Sequence, residues 1–138
     1  MILLDTDTLT LLTLGHPKVQ QRLDAAEEDI AITIVTRIEV LRGRFDFVLK
    51  AADGAQLQVA QQRLAESEAR LAEVVVIAFD AIAAREFDRL RENKAVRKIG
   101  RADLLIASIA LAQQATLVTR NVRHFRTIPG LHVVNWAD

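Results

Sequence analysis

Five short apolar runs punctuate the chain: Met1–Leu4, Ile30–Ile34, Val74–Ala78, Ala115–Thr119 and Leu131–Trp136. Most are leucine-rich or β-branched and do not alternate with polar residues. Runs of that kind read as strands buried on both faces, as in a parallel sheet. Helical spacing fills the intervals. Pro17 with Val19 and Leu23 predicts a helix with proline in its first turn. Thr36 to Phe47 predicts the next, and Asp53 or Gly54 opens a stretch with Leu57, Leu64 and Leu71 seven apart. Asp80 is placed to cap a helix built on Ile82, Ala83, Phe87 and Leu90. Ala102 to Gln114 is apolar nearly all round, which predicts a central helix covered on both sides. Strands alternating with helices imply βαβ units. The expected fold is one α/β domain over residues 1–138, a three-layer sandwich around a mostly parallel sheet of four to five strands. Residues 45–72 stand apart as an added helical hairpin. Its leucines either pack on the core or form a dimer or partner surface.

Composition narrows the classes. With 138 residues, 51% of them apolar and 26% charged, the chain has enough material for a buried core and is not of the disordered type. The absence of cysteine excludes a disulfide framework, a thiolate zinc site and a thiol nucleophile. Leu104–Ala112, the longest apolar run, is too short to span a bilayer and contains Ser108. Asp5 and Asp7 interrupt any leader-like pattern at the N-terminus, and a cytoplasmic location is expected. Formal net charge is zero, which argues against a whole-domain clamp on nucleic acid. The charge is uneven, however: residues 85–126 hold ten Lys/Arg against four acids. That stretch is either a solvated face or a rim that tracks phosphates.

The chemistry lies at the ends of the apolar runs, where open parallel sheets bind ligands. Asp5 and Asp7 follow the first run, Thr36 and Glu39 the second, and Thr119 and Asn121 the fourth. Asp103 opens the central helix after the Ile99-Gly100-Arg101 turn. Three or four carboxylates are thereby expected at one edge. Two unit charges 4 Å apart repel by roughly 4 kcal/mol at an effective dielectric near 20. A divalent cation offsets that cost, and all-oxygen ligands favour Mg²⁺ or Mn²⁺. Such a site suits phosphodiester hydrolysis. Taken singly, Asp103 reads as a cap and Glu39 as an ion-pair partner of Arg42, whereas Asp5, a charge right after a buried run, needs a partner. His16, His124 and His132 show no ligand spacing and are expected to be structural or exposed. There is no nucleophile elbow and no glycine-rich phosphate loop.

These residues also resemble a known family. Ile2-Leu3-Leu4-Asp5-Thr6-Asp7-Thr8-Leu9 is similar to the opening of PIN domains, and Thr36-Arg37-Ile38-Glu39-Val40-Leu41-Arg42-Gly43 to their second motif. Gly100-Arg101-Ala102-Asp103-Leu104-Leu105-Ile106-Ala107 resembles the third. Thr119-Arg120-Asn121-Val122-Arg123-His124-Phe125, Pro129-Gly130-Leu131 and Asn135-Trp136 resemble the C-terminus of the VapC-type branch. The four motifs occur in order across essentially the whole chain. The resemblance implies a Mg²⁺-dependent endoribonuclease toxin, restrained by a VapB-like antitoxin and frequently a homodimer. It implies Asp5 and Asp103 as main metal ligands and Glu39 as a third acid, direct or through water. Asn121 stands where many relatives carry a fourth acid. Asp7 replaces the usual Asn, either to recruit metal or to cap the next segment, and His124 replaces a common acid. Thr6, Thr119 and Asn121 would position water or phosphate, while Arg42, Lys98, Arg101 and Arg120 would guide the RNA backbone. Five Phe, one Trp and no Tyr leave little stacking surface for reading bases, so the RNA target is not legible.

Rival readings remain. Asp5-Thr6-Asp7 after a strand also resembles haloacid-dehalogenase-type phosphatases, but Leu9 departs from that pattern. A response-regulator receiver needs a lysine after its fifth strand, and none lies beyond Lys98. A PIN-like module that binds RNA or protein without cleaving is the non-enzyme alternative.

Overall fold

In the computed structural model, which describes all 138 residues, the five apolar runs become five strands. They are β1 (Ile2–Leu4), β2 (Ile30–Thr33), β3 (Val75–Ile77), β4 (Thr116–Val118) and β5 (His132–Val134). Every pairing is parallel, in the order β3-β2-β1-β4-β5. Ile2, Leu3 and Leu4 pair with Ile30, Ala31 and Ile32 on one side and with Thr116, Leu117 and Val118 on the other.

Alternation of side chains along β1 divides the interior into two cores. Leu3 joins one, with Phe87, Leu90, Ile106, Ile109 and Leu117. Ile2 and Leu4 join the other, with Val19, Ile32, Leu71 and Val118. Helices α1 (Thr6–Thr13), α2 (Pro17–Ala25), α3 (Ile34–Leu49) and α4 (Gly54–Ala72) precede β3; α5 (Ala81–Arg91), α6 (Arg101–Ala112) and α7 (Val122–Phe125) follow it. α5 and α6 cover the first core, and α1 and α2 the second, giving the three-layer sandwich expected. Each fully buried Leu or Ile contributes about 1.5–3 kcal/mol. No helix is long and apolar enough to cross a membrane.

Three local expectations change. Residues 6–13 form a helix the sequence pattern did not announce, because Thr6, Thr8, Thr10 and Thr13 lower its intrinsic propensity. Local bonds compensate. Asp5 caps it by accepting from the Thr8 amide at 2.8 Å, and the Thr8 hydroxyl donates to the Val118 carbonyl at 3.2 Å. Asp7 lies in the first turn and is not the cap. Helix α3 starts at Ile34 and not Thr36, since the Thr33 hydroxyl accepts from the Thr36 amide. The hairpin is therefore α3 against α4, spanning 34–72, rather than a separate insertion at 45–72. Of its leucines, Leu71 is buried in the core, Leu64 is half-buried and Leu57 is exposed. The hairpin is rooted in the core, and its outer part leaves Phe45, Phe47, Leu49 and Val59 exposed.

The order of the strands positions the site. β2 lies on one side of β1 and β4 on the other, so the connections leaving β1 and β4 diverge. A crevice opens at such a switch point, at the carboxyl ends of the strands. Asp5 directly follows β1 and Thr119 directly follows β4.

Candidate active site

Asp5 is held by the fold on several sides. It is 7% exposed, its Oδ1 accepts from the Thr8 amide, and the Thr119 side chain near its carboxyl favours the charged form. Its amide donates to the Val118 carbonyl at 3.0 Å, which ties the turn to β4. Burial pushes the carboxyl above its ordinary value; the bonds from Thr119 and Thr8 oppose this and the charge of Asp7 adds to it. The need for partners at a charge following a buried run is met by the helix cap and by Thr119.

Glu39 is brought over from α3. The Thr6 hydroxyl donates to Glu39 Oε1 at 2.6 Å and lies 3.1 Å from the hydroxyl of Thr36, which is fully buried. No ion pair joins Glu39 to Arg42. The threonine pair thus links the first turn of α1 to that of α3, across residues thirty apart. Thr36 belongs to the site as a buried support, a role that its position after the second strand did not reveal.

Asp103 occupies the first turn of α6, whose N-cap is Gly100 with no capping side chain. Asp103 is therefore not the cap of its helix. Its carboxyl is also pushed above the ordinary value, chiefly by burial. The charge of His124 acts in the opposite direction, and Glu39, Asp5 and Asp7 raise it further. Those three couplings place all four acids in one electrostatic neighbourhood. His124 Nε2 stands 3.5 Å from Asp103 Oδ2, so this histidine belongs to the site as well. Sequence reading missed that, because His124 is one residue before a buried Phe in what reads as a polar loop.

Of the remaining expected residues, Thr119 lies inside and the others line the periphery. Thr119 is fully buried and its hydroxyl accepts from the Asn121 amide at 3.0 Å. Asn121 is exposed, and its side chain does not cap α7. Arg101 is exposed at the start of α6 with its guanidinium 5.5 Å over the Phe87 ring. Lys98 is exposed just before it, while Arg120 reaches toward Asp138 at 4.0 Å. Arg42 lies farther along α3, in a groove with Ile38, Leu41, Phe45 and Asp46. Of the ten Lys/Arg in 85–126, only Arg89 and Arg120 have a carboxylate within 4.0 Å.

No three acids or histidines form a ready-made metal cage. The donor set nevertheless suits a hard divalent cation. Two carboxyls are raised by burial and by like charge, and the surrounding groups are oxygen donors apart from one imidazole. An ion is the direct way to relieve that electrostatic cost.

Comparison with known proteins agrees with this geometry. The PIN domain family model matches residues 2–131. Ribonuclease VapC2 of Rickettsia felis is 32% identical over 140 residues, covering 97% of this chain and 96% of that protein. The tRNA(fMet)-specific endonuclease VapC of Salmonella typhimurium is 26% identical, covering 98% and 97%. Among solved structures, VapBC2 from Rickettsia felis bound to a DNA fragment from its promoter superimposes with a TM-score of 0.76 at 31% identity over 99% of each chain. VapBC-1 from nontypeable Haemophilus influenzae does so at 0.81 and 24% identity over the full length of both, a likeness of fold. With residues 2–131 of its 138 matched by the family model, and acids at the switch point of an all-parallel sheet, this chain belongs to the PIN-domain family.

Proposed function

We propose that the chain is a divalent-metal-dependent endoribonuclease and the toxin of a toxin–antitoxin pair. The observation that carries the reading is the placement of Asp5, Glu39 and Asp103 from three separate elements into one electrostatic neighbourhood beside Thr6 and Thr119. The relatives named ribonuclease and endonuclease support the activity. The finer assignment is Mg²⁺, with Mn²⁺ as its substitute, held by Asp5 and Asp103 with help from Glu39. When bound, the ion supplies charge neutralisation at the phosphorus and a lowered pKa for the attacking water. Thr6 holds Glu39, the Thr8 amide holds Asp5 with Thr119 beside it, and Asn121 offers a neutral amide to water or phosphate at the place of a fourth acid. Lys98, Arg101 and Arg120, with Arg42 farther out, give the RNA backbone its counter-charge.

The partner in this reading is a VapB-like antitoxin, since the solved relatives are complexes of that type. The chain itself forms a homodimer, for which the exposed Ile38 and Phe45 on α3 supply apolar surface. Purified protein incubated with RNA cleaves it with Mg²⁺ and not with EDTA, and Asp5→Asn and Asp103→Asn abolish cleavage. Equal cleavage in all these conditions rejects the assignment. RNA retention without metal-dependent cleavage would favour a binding module, the reading that the uncharged Asn121 keeps open.

A further inference from the structure

The two carboxylates assigned as main ligands are held very differently. Asp5 is buried, bonded to an amide of its own helix and braced by Thr119. Asp103 has a side chain 39% exposed on a helix without a side-chain cap, and His124 is the side chain paired with it. The histidine is itself well fixed. Its ring stands edge-on to Phe125, with centroids 5.7 Å apart and planes at 88°, and Phe125 is only 1% exposed. The Thr127 hydroxyl donates to the His124 carbonyl at 3.0 Å, closing the turn. The ring is therefore placed by α7, the turn that follows it and the core beneath Phe125.

We propose that His124 is a positioning residue for Asp103: its Nε2–H holds one carboxylate oxygen and leaves the other free for a divalent ion. This rests on the metal-site reading above. A carboxylate ligand with free rotamers loses entropy on binding an ion, and an outer partner that fixes it in advance reduces that loss. An imidazole with hydrogen on Nε2 supplies the donor that this role requires. At 3.5 Å the pair is longer than a normal N–H···O bond, and such contacts commonly tighten on loading. The acid common at this position in the resembled pattern adds negative charge, whereas this chain uses the position for a donor.

The test is Mn²⁺ uptake by the intact purified chain, read from the electron paramagnetic resonance signal of the free ion. His124→Leu weakens Mn²⁺ binding by about 10- to 100-fold. His124→Gln, whose amide reaches as far as Nε2, restores most of it. Circular dichroism and the melting temperature in EDTA stay near wild type for both. If the leucine variant unfolds, His124→Asn replaces it, because its shorter amide falls short of Asp103. Wild-type affinity in the leucine or asparagine variant overturns the proposal, as does a glutamine variant as weak as leucine. Asp103→Asn separates the two readings. If it loses Mn²⁺ while His124→Leu keeps it, only the role of His124 falls. If wild type takes up no Mn²⁺, the metal site itself falls and this role with it.

Discussion

Replacing Asp5 by asparagine separates the electrostatic cost of the site from its structural role. The asparagine oxygen can still accept from the Thr8 amide, and its NH₂ can face the Thr119 hydroxyl, which rotates to accept. Only the charge is removed. The Asp5 carboxyl is raised in the folded chain, mainly by burial, so the folded state holds its proton more tightly than the unfolded state does. Stability of the wild type therefore declines as pH rises from the ordinary carboxylate value of 3.8 through the folded value, and stays lower above it. At pH 7.5 in EDTA, Asp5→Asn should melt above wild type, and below pH 3.8 the difference should vanish. Asp5→Ala also removes the cap, worth about 1 kcal/mol. At about 2.1 cal/mol/K per residue, 1 kcal/mol corresponds to about 3 °C for a chain of 138 residues. The alanine variant should thus melt about 3 °C or more below the asparagine variant. Mg²⁺ at ten times its Kd adds about 1.4 kcal/mol, about 5 °C, to wild type and nothing to either variant. Differential scanning calorimetry at pH 3 and 7.5, with EDTA or Mg²⁺, reads all of these. An asparagine variant that melts below wild type in EDTA at pH 7.5 would refute the reasoning, because the charge would then be stabilising.

Other predictions follow from single features. Gln114 ends α6 in a left-handed conformation at φ 52°, with Ala115 N–H bonded back to the Ala110 carbonyl. Gln114→Gly should stabilise by about 1 kcal/mol in urea unfolding, the strain relieved being about 1–2 kcal/mol, less the entropy glycine adds to the unfolded chain. Phe125→Ala should cost about 3–5 kcal/mol by the same measurement, because the ring is fully buried and leaves a cavity. Lys98→Ala with Arg101→Ala should lower RNA affinity and flatten the log–log salt dependence by about 1–2 in slope, measured by fluorescence anisotropy in EDTA; an unchanged slope would remove them from the RNA path. Thr6→Val frees Glu39 from its 2.6 Å bond and should reduce Mg²⁺-dependent cleavage; it also strands the buried Thr36 hydroxyl, so the EDTA melting temperature should fall by about 3–10 °C.

The strands and most helices were legible because burial on both faces and helical periodicity write themselves into the order of residues. Ile30–Thr33 needed no more than its unbroken apolar run, and Ala81–Arg91 its apolar spacing and the capping Asp80. Helix α1 was not legible, since threonine-rich Thr6–Thr13 becomes helical through the Asp5 cap and the reach of Thr8 to a carbonyl 110 residues away. The extent of the hairpin is hidden for a similar reason: nothing within Thr33–Thr36 says that the strand stops there and the helix starts at once.

The acids themselves could be named from sequence, because charge placed immediately after an apolar strand is a local feature. Which groups hold them could not. Thr36 beneath Thr6, Thr119 beside Asp5 and His124 against Asp103 join segments that only the parallel order β2-β1-β4 makes neighbours. Periodicity along a chain records which side of each element faces water. Distances between elements are set by how the layers pack, and that is where the roles of these three residues were decided.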